Sequence, residues 1–312
     1  MDAEAAGESE RLTERIERRD DLRAQANEWA GKAIAVLAEL AQNWEGSPRY
    51  DEVLYLLAYA LEERSRESED FEQRADLGLQ ARTVYRELLQ SRADSVFAPN
   101  AYLAFAEYAF EEGDIAQALE FYERVVAFPD SDVAGYALYK KAWCLYNLQE
   151  FERALEAFQG VIEWAAAHPD HPNAEPLGRE ATNDVVHAYA QVGRPDTAWR
   201  FFERVGGEPA AMVERLAGLY ESVGMFDEAV VVLHELMDQQ RSSDRLCGWT
   251  MRAAVIRLAS VSFSGSAREV AVGELRRLVD VWRVFVAEEG DRHPTDVTER
   301  CTRETASMIL DT

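Results

Sequence analysis

The sequence predicts an all-α chain built as a solenoid of antiparallel helix pairs, about five pairs with further helices at the two ends. Three observations lead there. Gly113, Ile115, Ala118, Tyr122 and Val125 recur 36 residues later as Gln149, Phe151, Ala154, Phe158 and Val161, and a fixed period of about 20 to 50 residues marks stacked supersecondary units. Composition is that of a folded, helix-rich chain: 47% hydrophobic and 29% charged, dominated by alanine, leucine, glutamate and arginine, with nine prolines. Few windows alternate apolar and polar residues as a half-buried strand does. At 312 residues the chain exceeds one ordinary core, so two domains or an elongated array is expected.

Residues 1–8 are predicted to be a flexible tail and 9–45 an N-terminal helix. The first part of that helix, RLTERIERRDDLR, is nearly all charge, with Leu12 and Ile16 its apolar pair. The second part places Ala26, Trp29, Ala33, Val36, Leu37 and Leu40 at helical spacing, which predicts a buried stripe. Gly46-Ser47-Pro48 breaks the helix. Residues 51–241 carry the repeats. DEVLYLLAYALEE is the first helix; the next has Leu79, Ala81, Tyr85, Leu88 and Leu89 on one face. Between them this pair holds about eleven more residues than later pairs, as a loop or an extra helical turn. The two central units span 101–162, a third 177–206 and a fourth 208–241. A degenerate fifth pair, 243–288, joined by SFSGS, and a last helix at about 294–310 make up a region from 242 to 312.

The recurring residues have a packing reason. Two helices joined by a short turn bury one face against each other, and the other stays apolar until a neighbouring pair covers it. Ala118, Ala154, Ala198 and Ala229 permit close helix approach; Tyr122, Phe158, Phe202 and Leu233 fill the space to the next pair. Gly113, Gly193 and Gly224 are placed to end first helices in the left-handed conformation. Asp114, Asp196 and Asp227 favour the start of the second helices by capping or through the helix dipole.

A net charge of −25, with no Lys/Arg cluster free of interleaved acids, argues against a nucleic-acid partner and against anionic membrane surfaces. No apolar run reaches the length of a membrane-spanning helix, so no direct membrane insertion is expected. The start, MDAEAAGESERLTER, has no basic n-region or apolar h-region. A soluble cytoplasmic protein fits, as does a chain from which a signal was removed. The three cysteines, Cys144, Cys247 and Cys301, are odd in number and widely spaced, so no disulfide framework is expected; Cys144 reads as a small core residue.

At this point the residues resemble the tetratricopeptide repeat family. The fourth unit matches best, through Leu216, Ala217, Tyr220, Gly224, Phe226 and Ala229; the first central unit matches through Ala106, Gly113, Ala118 and Tyr122. The second departs at Lys141 and Gln149, and the third is degenerate at Thr182 and Pro195. The resemblance covers about 60% of the chain, residues 51–241. It implies a right-handed superhelix and a protein-binding scaffold without cofactor. More loosely, AYLAFAEYAFEEGDIAQALEFYERVVAFPDS and YALYKKAWCLYNLQEFERALEAF look like envelope-associated repeat proteins of gliding bacteria. That likeness implies a periplasmic or envelope location and a scaffold of a motility complex.

In this family the first helix of each unit lines a concave groove. Helical offset from the packing residues places Tyr55 and Tyr59 there, then Leu103, Glu107 and Phe110. Tyr136, Tyr139, Trp143 and Tyr146 follow, then Asn183 and His187, and then Glu214 and Glu221. Four aromatics on one helix suit an anchor for a peptide or helix, because Tyr and Trp bury much area at low entropic cost. The rings are equally well explained as packed against neighbouring helices. Asn183 and His187 suit a peptide carboxylate or amide, but Tyr139 and Trp143 stand where the family's carboxylate clamps place lysine.

Enzyme signals are missing. The chain has no phosphate loop, G-x-S-x-G elbow or H-E-x-x-H pair, since Asp238 stands where His234-Glu235 would need a second histidine. His168 and His171 lie in a proline-containing linker, and Glu62-Glu63 and Glu111-Glu112 are helix-end acids rather than a desolvated pair. The expectation is therefore a scaffold, not an enzyme, with no metal or cofactor, that docks a protein or peptide segment in its groove. The alternatives are a structural segment of a larger envelope or motility assembly, joined by terminal helices or self-association, and a helical enzyme.

Overall fold

Helical spacing of the apolar residues sets the architecture throughout. The computed structural model describes residues 2–260 and 267–311. Among them run fourteen α-helices and one 3-10 turn, with no strand beyond a lone bridge between Glu289 and His293. After α1 (Asp2–Asn43) come six hairpins: α2 (Tyr50–Glu67) with α3 (Phe71–Ser91), α4 (Ala98–Glu111) with α5 (Ile115–Val126), and α6 (Ala134–Asn147) with α7 (Phe151–Ala167). Then follow α8 (Ala174–Val192) with α9 (Ala198–Val205), α10 (Pro209–Ser222) with α11 (Phe226–Gln239), and α12 (Leu246–Ser260) with α13 (Ala267–Ala287); α14 (Thr295–Asp311) ends the described chain. The predicted SFSGS joint lies outside the described residues. The fold is all-α, a succession of antiparallel helix pairs divided into two compact units, Met1–Ala137 and Leu138–Thr312.

In the first unit each helix from α1 to α4 packs on its successor. Tyr50, Leu54, Ala58, Tyr85, Leu88, Ala101 and Ala104 form its core. The insertion between α2 and α3 is helix, not loop: α2 continues to Glu67, and Asp70 caps α3 by accepting from the Gln73 amide at 2.9 Å. Helix α1 covers residues 2–8 as well as the predicted span.

Two expected faces are corrected here. Ile34, Leu37, Ala38 and Ala41 are the α1 residues that pack, against Leu57, Leu61 and Ala81. Of the predicted α1 stripe only Leu37 belongs to that contact; Trp29 stays 68% exposed and Val36 57%. One helix can present two apolar faces, and α2 covers only one of them. Leu79, expected on the buried face of α3, is likewise exposed, because α3 turns Ala81, Tyr85 and Leu88 inward.

In the second unit α7 packs on α8, and the contacts continue from α8 and α9 to α10 and on to α14. Every small and large packing position named from the repeat is buried: Ala118, Ala154, Ala198 and Ala229, and Tyr122, Phe158, Phe202 and Leu233. Each large side chain contributes about 1.5–3 kcal/mol by leaving water. Pro195 opens the 3-10 turn Pro195–Thr197, and α9 is left only 8 residues long.

Gly113 and Gly224 take φ of 80° and 79°, as the repeat requires. The position equivalent to Gly113 is filled by Gln149, which adopts φ 63° despite its side chain. Gly193 does not follow them: its φ is −74°, and it is needed instead because a Cβ there would lie 2.4 Å from the Tyr189 ring. Asp114 caps α5 through the Gln117 amide at 3.0 Å, whereas Asp227 sits inside the first turn of α11.

The cysteine reading is also corrected. Cys247 of α12 and Cys301 of α14 form a disulfide across a sequence separation of 54, and Cys144 is buried. An odd count says nothing against a pair within it; these two the α12–α13 hairpin returns to each other. His293, 3% exposed, stacks on Phe285 at 3.8 Å and contacts Asp244 at 2.9 Å beside this staple.

Candidate functional site

The first helices of the hairpins carry the candidate residues, and they gather in two places, one in each unit. In the first unit, Tyr55 and Tyr59 on α2, Leu103 and Glu107 on α4 and Tyr136 at the start of α6 line one cavity of about 260 Å³. Glu62, Arg66, Tyr85, Asn100 and Ala104 complete its wall. Phe110, on the last turn of α4, is half-buried and does not line it.

Polar groups in this cavity are held in fixed positions. Tyr85 donates to Glu62 at 2.9 Å, and Arg66 pairs with Glu62 at 2.7 Å. Burial pushes the Glu62 carboxyl up, and Arg66 and the Tyr85 bond oppose that shift. Glu107 accepts hydrogen bonds from Tyr122 and Tyr136. Burial, aided by Glu107, pushes the Tyr136 phenol up to about 12. Tyr55 stacks on Phe97 at 4.7 Å and 11°, which fixes its ring; its phenol is also pushed up, chiefly by burial.

In the second unit, Tyr139, Trp143 and Tyr146 lie along α6 at helical spacing, all half-buried. Trp143 meets Phe158 edge-on at 5.5 Å and Tyr146 at 5.5 Å. His187 of α8 stands 6.0 Å from Trp143 and 6.4 Å from Tyr146. Tyr139 donates to Asp184 at 2.6 Å, and burial with that bond pushes its phenol up to about 12. The rings therefore have a packed side and an open side.

Asp184 is the member the sequence reading missed. It lies three residues before His187, on the same face of α8, and that offset was the available signal. The backbone carbonyl of Asn183 accepts from Arg215 at 2.9 Å. Glu214 is bound by Arg245, just before α12, at 2.5 Å, and Glu221 by Arg252 of α12 at 2.8 Å. His168 and His171 pack on Trp164 at 4.8 Å and 5.1 Å, and His234 pairs with Glu274 at 2.9 Å. Among the described residues, no three His, Cys, Asp or Glu side chains group as metal ligands, and no helix is long and apolar enough to cross a membrane.

No curated protein matches the chain. Solved structures similar to it include TPR-like repeats of a kinesin light chain from Podosopora anserina, 18% identical, covering 59% of this chain and 96% of that one with a TM-score of 0.32. YrrB, described as a TPR protein with an unusual peptide-binding site, is 15% identical over 70% of this chain and 97% of its own, with a TM-score of 0.31. BtubC (BKLC) from P. vanneervenii is 16% identical over 82% and 91%, with a TM-score of 0.33. Likenesses this distant carry no functional inference. The family model of the tetratricopeptide repeat matches residues 136–163, the α6–α7 hairpin that holds the aromatic row. The α6–α7 hairpin is thus similar to one tetratricopeptide repeat.

Proposed function

We propose that the chain is a protein-interaction scaffold that seats a segment of a partner protein on the first-helix faces of its repeats. Repeats of this kind act by presenting extended surfaces rather than by chemistry. The observation that carries the reading is the row of Tyr139, Trp143 and Tyr146 with His187: half-buried rings fixed on one side by Phe158 and α8, open on the other. Rigid, half-covered aromatic rings are suited to be anchors, since little entropy remains to be lost when a partner covers them. The cavity bounded by Tyr55, Tyr59, Leu103, Glu107 and Tyr136 supplies a second, more polar surface on the first unit.

The test is a peptide selection on the immobilised chain, followed by binding of the selected peptides to Trp143→Ala and Tyr146→Ala. Each change is expected to weaken binding by about 2 kcal/mol or more, as anchors do, with helicity by circular dichroism unchanged. Selected peptides that bind the variants as well as the parent chain would sink the groove reading. So would a collapse of thermal stability with each change, because the rings would then be core.

A further inference from the structure

We propose that α1 pairs with α1 of a second copy of this chain, antiparallel and about a twofold axis. The starting point is a face that the chain leaves uncovered. Leu22 is 58% exposed, Trp29 68% and Val36 57%; Ala26 and Ala33 are exposed and Leu40 half-exposed on the same line. The steps along it are four, three, four, three and four residues, which is the seam of a two-helix coiled coil. No charged residue interrupts the seam; Glu28, Lys32 and Glu39 flank it. Solitary exposed apolar residues need no explanation, but a contiguous row of six marks an interaction site.

The side chains along the seam specify the occupant. In an antiparallel pair centred near Gly31, Trp29 meets the partner's Ala33, Ala26 meets the partner's Val36, and Leu22 meets the partner's Leu40. The twofold repeats each contact in reverse, as an isologous interface must. Large residues oppose small ones in the Trp–Ala and Val–Ala layers, so they fill without a void. A parallel pair would instead stack Trp29 on the partner's Trp29 and leave Ala26 and Ala33 facing alanine. Charge favours the same sense. Arg15 continues the seam toward the N-terminus; in a parallel pair it would face the partner's Arg15, whereas the antiparallel pair separates the two and carries it past the end of the partner's α1. A lipid surface is a poorer occupant, because a chain of net charge −25 is repelled by anionic membranes.

The seam from Leu22 to Leu40 is about 27 Å of helix, and a pair of that length buries on the order of 1,000 Å², the low end of specific interfaces. The dimer is therefore concentration-dependent. Sedimentation equilibrium of the full chain over micromolar to submillimolar concentrations is expected to show monomer giving way to dimer. Trp29→Glu with Val36→Glu is expected to weaken association by about a hundredfold or more while leaving the melting curve intact, because both side chains are exposed in the single copy. Orientation is read by cysteine cross-linking; the native thiols do not interfere, as Cys144 is buried and the others are paired. Ala26→Cys with Val36→Cys in one chain should give a covalent dimer on mild oxidation, and Ala26→Cys alone should not. A chain that stays monomeric throughout, a dimer that survives the glutamate pair, or a dimer cross-linked by Ala26→Cys alone would each overturn the proposal.

Discussion

The phenol of Tyr139 donates to the Asp184 carboxylate at 2.6 Å and so ties α6 to α8 across the intervening helix α7. That bond holds one end of the aromatic row. Tyr139→Phe should destabilise the chain by about 1 kcal/mol, the net contribution of a half-buried hydrogen bond to a charged group. The corresponding fall in Tm for a unit of this size is roughly 2–4 °C. Asp184→Ala should cost a similar amount, and the double variant should cost little more than either. Additive losses would show that the two side chains are not coupled.

Alkaline pH should loosen the fold in a defined window. Tyr136, Tyr139 and Tyr220 are each pushed up from 10.0 to about 12, with burial the largest cause. The folded chain keeps these protons where unfolded tyrosines lose theirs. The associated stability is full below pH 10.0 and is lost as pH climbs to about 12. Melting curves followed across that window, beside phenolate absorbance, test this. A Tm that does not change there, or phenols that titrate together at the unfolded value, would contradict it.

Gln149 holds a backbone conformation that the repeat elsewhere assigns to glycine. Gln149→Gly should raise stability by about 0.5–1 kcal/mol, the left-handed strain relieved less the added entropy of the unfolded chain. Gly113→Ala and Gly224→Ala should lower it by about 1–2 kcal/mol, since φ there is 80° and 79°. Chemical denaturation at neutral pH reads both signs.

The Cys247–Cys301 bond closes a separation of 54 residues. Chain entropy alone gives such a closure about 4 kcal/mol. Cys247→Ser with Cys301→Ser, or reduction by a thiol, should therefore lower the melting temperature of the second unit. Hydrogen exchange should speed up first in α14, which the bond joins to α12. Equal protection in oxidised and reduced chains would show that packing alone holds α14.

Much of the fold was legible in the sequence because it is repeated. Ala118 with Tyr122 and Ala154 with Phe158 reappear at one period, and all four are fully buried. What was not legible depends on contacts distant in sequence. Periodicity shows that Trp29 and Val36 share an apolar face, but only the placement of α2 shows that none of the described residues covers it. The pairing of Cys247 with Cys301 needs the hairpin between them. Gly193 looked like a turn glycine, whereas its neighbour Tyr189 is the reason for it.

The candidate site was legible in part for the same reason. Offsets along α2, α4 and α6 located Tyr55, Glu107 and Trp143 on first-helix faces, because those offsets are a property of one helix. Which residues meet there is a property of several. Asp184 entered through its contact with Tyr139, and Arg215 through its bond to the Asn183 backbone carbonyl.

The uncovered seam on α1 has a further consequence, which concerns valency. Two copies joined through Leu22, Trp29 and Val36 would carry the Trp143–His187 ring cluster twice on one particle. A partner that displays its segment in duplicate would then be captured by the second cluster at an effective concentration of millimolar order. Affinity would rise steeply with the concentration of the chain itself, and a change at Trp29 would weaken capture without altering any contact to the partner.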